Sequence, residues 1–198
     1  MRDKDILYII IHIHKTGGTT LKSHIRFNFK KEEILLLYRN INPDFVKKDG
    51  VENYINSLPL EKREKIKVII GHGAYWGLHE LFQKPCRYVI FFRNPVGQVI
   101  SSYNGNYMVL KLNNSQSNED IIKNLEFYFK NHNRVFRFLA RRLLGENGYS
   151  ALTPVNLERI KDILNKFYFV GLTENPQDFM FIYNQLKIKK FFFYSTYQ

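Results

Sequence analysis

The feature that most constrains this fold is the junction between an apolar run and a glycine-containing loop near the N-terminus. Residues 6–13 are almost continuously apolar and rich in isoleucine, which is typical of a strand buried on both faces of a parallel sheet. A helix is predicted over residues 19–29. The loop between them consists of His14, Lys15, Thr16, Gly17, Gly18, Thr19 and Thr20. This order predicts backbone N–H groups at a helix N-terminus, where they can bind an anion.

The residue types of this loop suit a phosphate. Gly17 and Gly18 allow a tight turn and a close approach of the backbone, Lys15 adds a positive charge, and Thr19 and Thr20 add hydroxyl donors. In the nucleoside-triphosphate loop G-x-x-x-x-G-K-[ST] the lysine follows the glycines, whereas here it precedes them. The order therefore argues against an ATPase or kinase of the Walker type.

The rest of the chain alternates between strand and helix patterns. Further strands are predicted over residues 34–38, 67–71, 87–93 and 167–172. Helices are predicted within 44–65 (interrupted at Pro59), over 74–82, from Asn94 onward, and over 119–144, 156–167 and 176–186, with a polar loop over 111–118. This alternation predicts an α/β fold, a three-layer α/β/α arrangement with a central parallel sheet, in a single domain over residues 1–198.

A second candidate anion site follows the strand at residues 87–93. Arg93 is predicted at the carboxyl end of this strand, where open α/β sheets bind ligands. Asn94 and Pro95 are a typical cap and first position of a helix. Ser101 lies about two turns into that helix, so a guanidinium and a hydroxyl are expected to converge on a phosphate. The apolar face predicted for this helix comprises Val96, Ile100, Tyr103 and Tyr107.

His72 is the candidate general base. It follows the strand at residues 67–71 and is expected to project from the same edge of the sheet. An imidazole with an ordinary pKa near 6.5 suits proton transfer at neutral pH. The alternative is a histidine that only bonds a loop carbonyl. His14 is a weaker base candidate, and His12 is expected to be structural because it lies within the first strand.

These motifs resemble those of sulfotransferases, in particular the branch that modifies carbohydrates. The loop of that family commonly reads H-I-P-K-T-G-G-T-[ST], and His14 stands here where proline is usual. The matching positions are His12, Ile13, Lys15, Thr16, Gly17, Gly18, Thr19 and Thr20. The family's second site has an Arg, then Asp or Asn, Pro, and a Ser eight residues after the Arg. It is matched by Arg93, Asn94, Pro95 and Ser101. Residues 133–140 and 169–174 extend the resemblance.

The resemblance implies a P-loop NTPase-like sulfotransferase fold and the transfer of a sulfuryl group to an acceptor hydroxyl. The donor would be 3′-phosphoadenosine-5′-phosphosulfate (PAPS), and the branch favours a carbohydrate acceptor. Loop residues 15–20 would bind the donor's 5′ end, and Arg93 with Ser101 its 3′-phosphate. Lys15 and His72 would be the catalytic residues, and no metal would be required. The chain is short for the family, so C-terminal elements are expected to be missing.

Composition widens the choice of partners. The chain has 30 Lys and Arg against 18 Asp and Glu, which gives a net charge of +12. Such a charge favours anionic partners, unless the extra basic residues only lie on solvated faces. The alternatives are a divergent P-loop small-molecule kinase and a non-catalytic basic module that binds a polyanion. Nucleic acid is not predicted as a partner, because no stacking platform of interleaved aromatic and basic residues is evident.

Cysteine usage and hydropathy bear on location. The single cysteine, Cys86, excludes an intrachain disulfide and is predicted to be a buried thiol. No apolar run reaches the length of a membrane span, and the N-terminal run is short for a signal peptide. A cytoplasmic protein is therefore expected.

Overall fold

The computed structural model describes residues 6–112, 134–145 and 153–191. A sheet of five parallel strands lies at its centre, in the order β2-β3-β1-β4-β5. The strands are β1 (Leu7–Ile11), β2 (Ile34–Leu36), β3 (Val68–Gly71), β4 (Cys86–Phe92) and β5 (Phe169–Leu172). All five predicted strands are confirmed, although the first is shorter than the apolar run that predicted it.

Seven α-helices are present in the described ranges. They are α1 (Gly18–Asn28), α2 (Lys48–Ser57), α3 (Leu60–Lys65), α4 (Pro95–Leu112), α5 (Arg134–Leu139), α6 (Pro154–Leu164) and α7 (Pro176–Gln185). Short 3₁₀ turns span Lys31–Glu33, Pro43–Val46 and Leu78–Leu81, and a π-helical turn, Ala140–Leu144, directly follows α5.

The sheet is covered on both faces. Alternate residues of β1 divide between two apolar clusters, with Ile9 on one face and Ile10 on the other. The first cluster includes residues of α2, α5 and α6, and the second includes residues of α1 and α7. All five residues of β1 are buried, as expected for the central strand of a parallel sheet. The α/β architecture with a central parallel sheet and flanking helices is therefore confirmed.

Two helix predictions are wrong. Residues 74–82 do not form a helix but only the 3₁₀ turn Leu78–Leu81. The segment before this turn is bonded to a distant part of the chain, because the N–H of Trp76 donates to the carbonyl of Arg142 at 2.8 Å. Gly77 then begins the turn with a φ of 102°. These tertiary contacts override the local helical pattern.

The predicted apolar face of α4 is also wrong. Val96 and Ile100 are 57% and 45% exposed, whereas Gln98 and Val99 are buried. Tyr103 is half-buried, and the side chain of Tyr107 lies outside the described residues. The face is rotated because Gln98 packs toward the loop after β1 and bonds its backbone.

The middle of the chain is described only in part. Residues 111–112 belong to α4 and not to the predicted loop, whose remainder lies outside the described residues. Of the helix predicted over 119–144, residues 119–133 lie outside the described part, and 134–144 are helical. Within the described ranges, every helix is too short or too polar to cross a bilayer.

Candidate functional site

The candidate site lies at the carboxyl ends of the three central strands. Because the sheet is parallel, the loops that follow β1, β3 and β4 all leave from one edge. After β1 the chain moves toward β2 on one side, and after β4 it moves toward β5 on the other. Open α/β sheets form their ligand crevice at such a change of direction. This strand order therefore brings the loop after β1 to the centre of this edge.

The loop after β1, which we call the glycine loop (residues 14–18), turns through two left-handed positions. Lys15 has a φ of 66° and Gly17 a φ of 72°. Such a backbone is unfavourable for a lysine by about 1 kcal/mol and requires support from its surroundings. Thr16, between the two, is buried, and its hydroxyl donates to the carbonyl of Ile13 at 2.9 Å. The Thr16 hydroxyl therefore stabilises the loop from within.

The start of α1 provides free backbone donors. Gly17 caps the helix without a side-chain hydrogen bond, and the N–H of Leu21 donates to the Gly17 carbonyl at 3.2 Å. The N–H groups of residues 18–20 precede this first helical bond and have no partner within the helix. No acidic residue lies in the first turn, and Thr19 and Thr20 are exposed. This arrangement suits an anion at the helix N-terminus.

Gly18 allows the helix to start against His12. A Cβ atom built on Gly18 would overlap the imidazole ring of His12. His12 is itself only 8% exposed, and its Nδ1 is hydrogen-bonded to the Tyr38 hydroxyl at 2.9 Å. The glycine is thus required by a close approach.

Arg93 contacts the glycine loop directly, although 78 residues separate it from Lys15. Its Nη1 donates to the Lys15 carbonyl at 3.2 Å. Its Nε lies 3.7 Å from Oε1 of Glu174, which also accepts the N–H of Asn94 at 3.0 Å. The side chain of Asn94 accepts from two N–H groups of α4, which confirms the predicted cap. These contacts hold Arg93 against the loop that carries Lys15.

Ser101 lies on the face of α4 that meets both cations. Gly97, Ser101 and Gly105 are four residues apart and share one side of the helix. A Cβ on Gly97 would lie 3.5 Å from Nε of Arg93, and one on Gly105 would collide with Nζ of Lys15. Ser101, which is half-buried, is therefore located between the two contacts along this face.

His72 is the middle ring of a stack of three imidazoles. Its centroid lies 4.4 Å from that of His12 and 3.7 Å from that of His14, with interplanar angles of 25° and 26°. Its Nδ1 lies 2.6 Å from the backbone carbonyl of His12. Because a carbonyl only accepts, Nδ1 carries the proton and Nε2 retains its lone pair. The loop-carbonyl bond, considered as an alternative to the base, is present and leaves Nε2 available.

The surroundings keep the rings of His72 and His12 neutral. Burial lowers the pKa of His72 to about 4, and the charges of His14, Arg142 and Lys22 act in the same direction. The bond to the His12 carbonyl opposes this shift. Burial likewise lowers the pKa of His12 to about 2. Both imidazoles are therefore unprotonated at pH 7.

Three residues near the site had no individual signal in the sequence. Gln98 donates from Nε2 to the His14 carbonyl at 2.7 Å. Glu174 holds Arg93 and Asn94 as described above. Arg142 is buried in the π-helical turn, where burial lowers its pKa to about 10, and its Nη2 donates to the Val46 carbonyl at 3.2 Å. All three act largely on backbone groups of distant segments, which sequence patterns do not reveal.

A mainly apolar cavity of about 270 Å³ lies behind the glycine loop. Its walls include Thr16, Arg93, Gln98 and Phe136. Its volume is near the lower end of the range for ligand pockets. Arg93 thus borders both the glycine loop and a partly open cavity.

Within the described ranges, no set of three or more His, Cys, Asp or Glu side chains is arranged to hold a metal ion. Comparisons of the chain with known protein families, with curated proteins and with solved structures gave no match.

Proposed function

We propose that this chain is a sulfotransferase that moves a sulfuryl group from PAPS to an acceptor hydroxyl, with a carbohydrate as the favoured acceptor class. The proposal assigns the glycine loop and the start of α1 to the donor's 5′ end. It assigns Arg93 and Ser101 to the 3′-phosphate, and His72 to the acceptor.

One observation carries the proposal, namely the contact between Arg93 and the Lys15 carbonyl at 3.2 Å. It joins two anion-binding motifs that are far apart in the sequence. A ligand with phosphates at two ends would meet a helix N-terminus and a lysine at one end and a guanidinium at the other. The Gly97–Gly105 face of α4, with Ser101 in its middle, spans the same interval. The P-loop NTPase-like fold implied by the resemblance is part of this proposal.

The residues present fit the chemistry that such a donor needs. The bound donor supplies a sulfuryl group on a phosphate that leaves with the electron pair of the broken S–O bond. Lys15 and the N–H groups of residues 18–20 would stabilise the charge that develops on this phosphate. His72 would take the acceptor's hydroxyl proton on Nε2, because Nδ1 is already a donor to His12. Positioning and electrostatics would do most of the work, as in phosphoryl transfer.

The test of the donor site is calorimetric titration with the expected product, adenosine 3′,5′-bisphosphate. We expect binding at one site, at least about 10-fold tighter than that of ATP or adenosine 5′-monophosphate, because a lost charge-assisted contact costs about 1.5–3 kcal/mol. Arg93→Ala should weaken the binding of the bisphosphate by about 10- to 100-fold. Absence of binding, or equal affinity for ATP with magnesium-dependent hydrolysis, would instead support the divergent kinase. Steeply salt-dependent DNA binding without nucleotide affinity would support the basic module.

The test of the chemistry is transfer of radiolabelled sulfate from PAPS onto a panel of glycans, lipids and small alcohols. Lys15→Ala should reduce turnover by about 10²- to 10³-fold, the usual effect of removing one donor to developing charge. His72→Ala should reduce it by about 10²- to 10⁴-fold. The exposed Lys31 offers a matched control, and Lys31→Ala should keep wild-type turnover. Full turnover by Lys15→Ala would remove the assigned role of the glycine loop.

A further inference from the structure

The ring of His14 is the one feature of the glycine loop that the proposed function does not use. This residue also departs from the loop pattern of the family that the chain resembles. Its ring is exposed, whereas that of His72 is partly buried and that of His12 is buried. The three rings thus form a stack that runs from the protein interior to its surface, with His14 outermost.

We propose that His14 is a positioning residue for His72, and that its ring acts by covering the outer face of the His72 imidazole. Its catalytic meaning rests on the proposed function of His72 as the base. The inner face of that imidazole is covered by His12, so the two neighbours leave the ring edge as the route to Nε2. An imidazole held in this way presents one nitrogen in one orientation.

The inner half of the stack is fixed. His12 is bonded to Tyr38 through Nδ1, and its ring lies against the backbone of Gly18. The Nδ1–H of His72 donates to the His12 carbonyl at 2.6 Å. A flip of the His72 ring would exchange its nitrogen and carbon positions and break this bond. It would also require the ring to turn between two neighbours that lie only 3.7 and 4.4 Å from it.

The outer half of the stack is held by the same contacts that shape the glycine loop. The His14 carbonyl accepts a hydrogen bond from Gln98 at 2.7 Å, and the next carbonyl, that of Lys15, accepts one from Arg93 at 3.2 Å. Phe138 presents its edge to both rings, with centroids 6.1 Å from His14 and 6.4 Å from His72. The orientation of the base is therefore tied to the conformation of the loop proposed to bind the donor.

The stack also controls how easily His72 is protonated. The groups that face it are His12, directly after β1, Tyr38 after β2, Lys22 from α1, Arg142 from the π-helical turn, and His14 itself. None of these is a carboxylate that would favour the imidazolium. Removal of the His14 ring would hydrate the outer face of His72 and remove a neighbouring charge, and both changes raise the pKa of His72.

The experiment compares His14→Ala and His14→Pro, which remove the ring, with His14→Phe, which keeps a ring but cannot titrate. The pKa of His72 is measured by NMR of its imidazole signals, assigned with His72→Gln. We expect it to rise by about one unit or more in the Ala and Pro variants and to change by less than about half a unit in Phe. The kcat should fall about 10-fold in Ala and Pro and recover in Phe, with the KM for PAPS within about 3-fold of wild type. Circular dichroism shows whether each variant folds. If His14→Pro does not fold, His14→Ala alone is compared with His14→Phe.

An unchanged His72 pKa and kcat in His14→Ala would overturn the proposal. So would equal shifts in the Ala and Phe variants, because the coverage by a ring would then have no effect. The NMR titration does not depend on turnover. If the wild-type protein fails to bind adenosine 3′,5′-bisphosphate, the proposed function falls, while the titration still decides whether His14 determines the environment of His72.

Discussion

Replacement of Gly18 by alanine tests whether the glycine loop and the histidine stack form one packed unit. The added Cβ would overlap the His12 ring. That ring has little room to move, because Tyr38 holds its Nδ1 at 2.9 Å and His72 stacks on it at 4.4 Å. Either the ring shifts and disturbs His72, or the first turn of α1 moves away from the loop.

The expected size of the effect follows from two opposing contributions. An added methyl group in a closely packed site costs about 1–3 kcal/mol. Alanine gains at most about 1 kcal/mol over glycine in a helix, and less at its first position. The net loss should be about 1–2 kcal/mol in the free energy of unfolding, which lowers the Tm of a protein of this size by about 2–8 °C.

Gly97→Ala is the matched control. Gly97 also lies in the first turn of a helix, but its Cβ would meet Nε of Arg93 at 3.5 Å, an ordinary contact. This variant should be as stable as the wild type or gain up to about 1 kcal/mol. Urea unfolding measures the free energy of unfolding of both variants. Titration with adenosine 3′,5′-bisphosphate measures the affinity of the glycine loop for this ligand. If Gly18→Ala matches Gly97→Ala in stability and binds the bisphosphate like wild type, the reasoning about the packed unit is refuted.

Three further results are expected. First, burial lowers the pKa of His72 from 6.5 to about 4, so the folded state disfavours the imidazolium. The contribution of the neutral His72 imidazole to stability is complete above pH 6.5 and is lost as the pH falls to about 4. Urea unfolding over this range should show up to about 3 kcal/mol of loss from this group, and His72→Phe should show a correspondingly shallower slope. Second, Asn94→Ala should lower the free energy of unfolding by about 1 kcal/mol and weaken the binding of the bisphosphate. Asn175→Ala, which removes a similar cap from α7, should lower the free energy of unfolding alone. Third, Cys86 is half-buried and not fully buried as predicted, and this partial burial raises the pKa of its thiol to about 11. Iodoacetamide at pH 8 should therefore modify it about 100-fold more slowly in the folded than in the urea-unfolded protein, and equal rates would contradict this shift.

Much of the fold was predictable because its signals are local. Runs such as residues 87–93 are apolar on both faces, and Asn94 with Pro95 marks the start of α4 unambiguously. The buried face of α4 was not predictable, since Gln98 is buried only through its bond to the His14 carbonyl. An apolar count favours Val96 and Ile100 for that face, and both are exposed. Tertiary hydrogen bonds thus outweigh the hydropathy of this helix.

The candidate site was predictable in its parts but not in its assembly. Lys15, Arg93 and His72 could be expected at one edge of a parallel sheet from their positions after strands. Their contacts depend on the register, in which Ile11 pairs with Gly71, so that His12 and His72 follow as neighbours. His12 and His14 are two residues apart, the strand period that places side chains on one side. The signal for a stack was present, but only the register shows which histidine completes it.

The order of the central strands explains why the parts of the site complement each other. β1 has β3 on one side and β4 on the other, so the glycine loop has His72 on one flank and Arg93 on the other. An anion held at the loop would therefore lie between a neutral imidazole and a guanidinium. A base beside Arg93 would have a further strong cation as its neighbour, which would lower its pKa below the value of about 4 that burial and the charges of His14, Arg142 and Lys22 give His72. In the proposed function, separation of the two by the width of β1 would let one edge of the sheet bind negative charge and accept a proton at the same time. The ring of His14 stacks on His72 and so lies on the side of the proposed base.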